Sequence, residues 1–114
     1  MIVRLPGMRQ TRCRAVIHDN LVHFFAVAQN NKVSSMYEQT KLALANADAT
    51  LAEAGTDKSR ILTAMVFIAD MKLKDEMNRA WDEWADVKNP PMRACVGADL
   101  TGNTLVEMVI TAAK

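Results

Sequence analysis

The sequence predicts a single-domain α/β or α+β protein whose sheet carries two helices on one face. Three observations lead there. Short runs rich in β-branched and aromatic residues lie near both ends of the chain and once in its middle. Two segments with helical apolar periodicity separate them. A length of 114 residues is that of one domain, so residues 1–114 are read as one unit. The expected order is ββαβαββ.

The first two strands are RAVIH (14–18) and LVHFFAVA (21–28). Asp19-Asn20 between them tolerates positive φ, which suits a two-residue hairpin. QNNKVS (29–34) reads as a polar loop. Ser35 stands three residues before Glu38, a capping-box spacing. Thr40, Leu44, Ala47, Leu51 and Ala54 then form one stripe, and Gly55 sits where a glycine ends a helix, so a helix is expected over 36–54. RILTAMVFIA (60–69) is nearly all apolar, and its place between two amphipathic segments favours a buried strand. Leu73, Met77, Ala80, Trp81 and Trp84 share one face of a second helix over 73–86, stopped by Asn89-Pro90-Pro91. Two strands follow, at 93–99 and 104–112, with the turn Thr101-Gly102-Asn103 between them. With both helices on one side, the other face of an apolar sheet is uncovered, so an oligomer is expected.

A net charge of +1 lacks the strongly basic footprint of a nucleic-acid binder. Arg4, Arg9, Arg12 and Arg14 cluster without interleaved aromatics and read as a solvated face. Two cysteines without CxxC spacing, Cys13 and Cys95, make neither a disulfide framework nor a zinc site, and fit a reduced setting. No run approaches the ~18 consecutive apolar residues of a membrane span. The opening MIVRLPGMRQTRCR is interrupted by Pro6, Gly7 and charges, unlike a signal-peptide core. The expected location is the cytoplasm, with no membrane partner and no specific nucleic acid.

Arg93 stands just after Pro90-Pro91, at the start of a strand. The prolines stiffen its approach, and a guanidinium so held is a bidentate clamp for a carboxylate or phosphate. The plainer reading is a strand-end arginine paired to a surface acid. Alternation places Leu105, Glu107 and Val109 on one face. A carboxylate on a sheet face must be paired or solvated. Glu107 therefore either pairs with Arg93 on a neighbouring strand or faces a subunit cleft and holds a water. Cys95, two residues beyond Arg93, shares its side. His18 and His23 have no ligand partners at metal spacing.

Taken in order, EQT (38–40), LAEAGTDKSRILTAMVFIADM (51–71), MNRAWDEW (77–84), PPMRACV (90–96) and LVEMVITAA (105–113) resemble the Rid family, also called YjgF or reactive-intermediate deaminases. The resemblance runs from about residue 14 to the C-terminus. It implies a chorismate-mutase-like α+β fold and a homotrimer with a central barrel and three clefts between subunits. It implies hydrolysis of 2-imino acids or their enamine tautomers to 2-keto acids and ammonia, without a cofactor or metal. By the PPMRACV match Arg93 is the substrate-carboxylate arginine. By the LVEMVI match Glu107 is the acid that positions the attacking water. Asn78 matches a cleft asparagine and Cys95 an oxidisable cleft cysteine. Phe25 and Ala26 stand where deaminases carry a small polar residue and a glycine. Their N-terminal cleft tyrosine has no counterpart, since the only tyrosine is Tyr37. These departures imply a narrower, more apolar cleft. They keep a second reading open: a non-catalytic trimer that binds a small carboxylate. Ribonuclease activity, which an older name of the family asserts, sits poorly with the near-neutral charge.

Overall fold

The computed structural model describes residues 1–28 and 35–114. The loop expected at 29–34 lies outside the described residues. The elements run β1 (Ile2–Arg9), β2 (Arg12–His18), β3 (Leu21–Val27), α1 (Met36–Glu53), β4 (Ile61–Ile68), α2 (Lys74–Trp84), β5 (Met92–Gly97) and β6 (Val106–Ala113). The strands form one sheet in the order β1-β2-β3-β6-β4-β5. Among the described residues only β4 and β5 pair in parallel, and every other pairing is antiparallel. The sheet is therefore mixed, and β6 is inserted between the two strands that α1 connects.

Two expectations need correction. The order is βββαβαββ, because Ile2–Arg9 is a strand. Pro6 and Gly7 read as breakers, but β1 is an edge strand, and its pairing with β2 shifts register between Leu5 and Pro6 and again before Arg9. Edges and bulges are where a sheet accepts proline and glycine. A Cβ on Gly7 would come within 2.6 Å of the Arg12 carbonyl oxygen, so the bulge requires glycine there. The second correction concerns β5 and β6. They are not neighbours, because β4 lies between them.

The remaining elements fall where the pattern puts them. Asp19 takes φ 53° in the β2–β3 turn, with His18 opposite Leu21. Ser35 caps α1, its Oγ accepting from the Glu38 N–H at 3.0 Å. The far end closes as a Schellman motif. The Gly55 N–H donates to Ala52 and the Thr56 N–H to Leu51, at 3.0 and 2.9 Å, with Gly55 at φ 86°. Gly55→Ala forces a Cβ into this left-handed conformation and should lower stability by about 1 kcal/mol in urea unfolding. An unchanged midpoint would show that the cap does not depend on glycine.

Alternation along the strands divides the sheet. Val22, Phe24 and Ala26 of β3, Ala64, Val66 and Ile68 of β4, and Val106, Met108 and Ile110 of β6 are buried in one cluster with Leu44, Leu51 and Met77 of the helices. Each large side chain so removed from water contributes roughly 1.5–3 kcal/mol. The other face stays open. Phe25, Val109 and Met65 lie side by side across β3, β6 and β4, and are 43%, 52% and 39% exposed.

The entry to β4 carries a pH-sensitive cap. Asp57 accepts hydrogen bonds from the Ser59 hydroxyl and from the Ser59 N–H. Those bonds, the hydroxyl's first, hold its carboxyl below the ordinary carboxylate value. A depressed folded value gives stability that is present above the unfolded pKa of about 3.9 and lost as pH falls through the folded one. Asp57→Asn should therefore differ in stability from the parent at neutral pH and converge with it in acid. A gap that stays constant down to about pH 2 would contradict this.

Candidate functional site

Arg93 lies on the helix side of the edge strand β5, opposite Ala64 of β4. Its Nη2 donates to Asn78 Oδ1 at 2.7 Å, and Nη1 lies 3.5 Å from Met77 Sδ. The guanidinium carbon sits 5.2 Å from the centroid of the Trp81 ring. One turn of α2 thus supplies an amide acceptor and an aromatic plane. Among the described residues no acid pairs with Arg93; the ion pairs there join Arg14 to Glu53 and His18 to Asp19. The plainer reading of Arg93 therefore fails: it is aimed by neutral groups, and its charge is not neutralised. Cys95 shares the helix side, opposite Val66 and packed against the core.

Glu107 lies between Val27 of β3 and Phe67 of β4, on the open face. It is half-buried and makes no side-chain hydrogen bond or ion pair within the described residues. The pairing with Arg93 does not exist within the chain. Two strand spacings, about 10 Å, separate β5 from β6, and the two side chains leave opposite faces of the sheet. The backbone around Glu107 is fixed from α1. Asn46 Nδ2 donates to the Val27 carbonyl at 2.7 Å. The buried Gln39 amide donates to the Asn103 carbonyl and accepts from the Leu105 N–H, at 2.8 and 2.9 Å. Two satisfied amide contacts of this kind rigidify the start of β6.

Phe25 is on the open face opposite Val109, one alternation from Glu107. Ala26 is 2% exposed and turns into the core. Its side chain does not line a cleft, so any part it takes there belongs to its backbone. Phe25 instead borders an open cavity of about 530 Å³ that reaches Val27 and Thr104 and is flanked by Met8, Arg12 and Cys13 from the β1–β2 hairpin. Arg4, Arg9 and Arg12 are exposed, as a solvated face predicts, and Arg14 is half-buried and paired to Glu53. What has no periodic signal in the sequence is the border this hairpin shares with Phe25.

The family model described as endoribonuclease L-PSP matches residues 12–114. The chain belongs to this family, the Rid/YjgF family. A RutC family protein of Haemophilus influenzae is 47% identical over 110 residues, covering 95% of this chain and 93% of that protein. The RutC family protein YoaB of Escherichia coli is 39% identical over 99 residues, 86% of each. A solved YjgF family member from Neisseria meningitidis superposes with a TM-score of 0.93 at 36% identity, covering all of this chain and 95% of that one. The Rid/YjgF fold is thus that of this chain, six mixed strands with two helices on one face. Among the described residues no helix is long and apolar enough to cross a membrane.

Proposed function

We propose that the protein hydrolyses 2-imino acids, or their enamine tautomers, to 2-keto acids and ammonia in clefts between the subunits of a homotrimer. The observation that carries this reading is the state of Arg93. Its guanidinium is oriented by Asn78 and Trp81, and no carboxylate answers its charge among the described residues. Such a fork suits a substrate carboxylate, which it grips through two parallel hydrogen bonds. Fixing that carboxylate orients the adjacent imine carbon for attack.

The second group is Glu107. It stands on the open face and Arg93 on the helix side, so one substrate meets both only where two copies join. In this reading Arg93 comes from the β5 edge of one copy and Glu107 from the face of the next. Glu107 accepts a hydrogen bond from a water and takes its proton as the oxygen bonds to carbon. The C=N bond becomes a C–N single bond, and the nitrogen gains a proton. Collapse of the carbinolamine forms the C=O bond and expels ammonia. Every atom comes from substrate and water, so the net reaction balances with no redox change and no co-substrate.

An amino-acid oxidase that generates imines, with semicarbazide to trap what persists, tests the reading. Added protein should reduce semicarbazone formation and raise the rate of keto-acid release. A second reading rests on Phe25, whose side chain lies on the open face opposite Val109, one alternation from the Val27–Glu107 pair. There the protein binds a small carboxylate without turnover. Its mark is ligand-dependent thermal stabilisation through mass action, with semicarbazone formation unchanged.

A further inference from the structure

The β1–β2 hairpin supplies a feature that neither Arg93 nor Glu107 explains. Residues 1–18 contain four arginines and no acid, whereas the whole chain carries only +1. The rest of the chain is therefore net negative, and the positive charge is gathered on this hairpin. Arg14 is spent structurally: its Nη2 pairs with Glu53 Oε2 at 2.7 Å and its Nε donates to the Pro6 carbonyl. Arg4, Arg9 and Arg12 make no ion pair among the described residues. They border a concavity of about 640 Å³ that shares Pro6 to Arg9, Arg12 and Cys13 with the cavity at Phe25. Among the described residues no acid lines either space.

Position gives this charge a use. The cavity runs from Arg12 past Phe25 to Val27, and Val27 is the register partner of Glu107. Its basic end thus lies on the Glu107 side of the sheet, away from Arg93. A molecule held at its 2-carboxylate by Arg93 of another copy, with its imine carbon at Glu107, has its remaining side chain to place. Glu107 does not itself line the cavity, but the cavity reaches its register partner Val27, and its walls are apolar at Phe25 and Met8 and cationic at Arg12 and Arg9.

We propose that this cavity receives a second carboxylate, so that the preferred substrates are 2-imino dicarboxylic acids of short chain, with Arg12 as the specificity-determining cation and Arg9 as its neighbour. The inference rests on the deaminase reading and names its substrate class. The methylene groups of such a substrate lie against Phe25, and its terminal carboxylate meets Arg12. The aromatic ring at position 25 then forms the wall of the side-chain pocket and does not block the reaction.

The test compares imines generated by oxidases from aspartate and glutamate with those from alanine and leucine, each trapped with semicarbazide. The parent protein should show a higher kcat/KM on the dicarboxylic imines. Arg12→Ala should lower that value about ten-fold while leaving the neutral imines unchanged. The preference should also shrink with added salt, because Arg12 is exposed. Equal rates on both classes, or an Arg12→Ala effect that falls equally on both, overturns the proposal. A parent protein silent on every imine overturns the deaminase reading instead. Thermal shifts then separate the two ideas. Succinate stabilising more than butyrate, with the difference lost in Arg12→Ala, supports the second-carboxylate pocket by itself. Equal shifts overturn it.

Discussion

Replacing Arg93 with alanine should lower kcat/KM for imine hydrolysis by about 100-fold or more and leave the fold intact. The magnitude is that of losing an orienting bidentate contact, since misplacing a substrate by about 1 Å costs that much. The fold should survive because Arg93 is half-buried on an edge strand. Truncation strands only Asn78 Oδ1, which turns to water, at about 1 kcal/mol. Arg93→Lys sharpens the result. Lysine keeps the charge but lacks the planar fork that matches Asn78 on one edge and a carboxylate on the other. It should recover part of the substrate affinity and little of kcat. Asn78→Ala leaves the charge in place and frees its direction, so its loss should fall between those of the arginine variants. If Arg93→Ala retains the parent's rate on all imines, the guanidinium is not the clamp and the deaminase reading falls with it.

Much of this site was legible in the chain, for reasons that can be named. Local chemistry marked the elements that hold it. Ser35 and Gly55 bound α1, the prolines before Arg93 mark the entry to β5, and alternation along β6 sends Glu107 and Val109 to the face opposite Met108. These are properties of one segment at a time. The sheet order is not. Nothing within β5 or β6 says that β4 will lie between them, so the suggested pairing of Arg93 with Glu107 had no local contradiction. It fails on a nonlocal fact, the antiparallel insertion of β6 between β3 and β4. Alternation did contain one corrective. Phe25 and Ala26 are adjacent, so their side chains cannot line the same cleft, and the structure gives the open face to Phe25. The hairpin of β1 and β2 was missed for a different reason. Pro6 and Gly7 carry the strongest breaker signals in the chain's opening, and only an edge strand with two register shifts absorbs both.

Val109→Asp should convert the assembled protein to monomers and remove its activity without unfolding it. Val109 is the most exposed of the three apolar residues that meet across the centre of the open face. In an isolated chain an aspartate there is solvated and costs little. In an assembly that covers the face, it sits between Phe25 and Met65 with no cation on either neighbouring position. Removing an unpaired carboxylate from water costs several kcal/mol for each copy, enough to dissociate an assembly held by apolar contact. Val87 provides the control. It is 83% exposed in the connection from α2 to β5, outside the sheet, so Val87→Asp adds the same charge and should leave the assembly whole. Sedimentation and imine hydrolysis measured on the same samples join the two halves of the proposal. Arg93 and Glu107 leave opposite faces of one sheet, so a folded monomer should hold both residues and still be inactive. A parent protein that sediments as a monomer, or a monomeric Val109→Asp that retains turnover, would mean that the site is complete within one chain. The separation of Arg93 from Glu107 across β4 would then exclude Glu107 as the group that activates water.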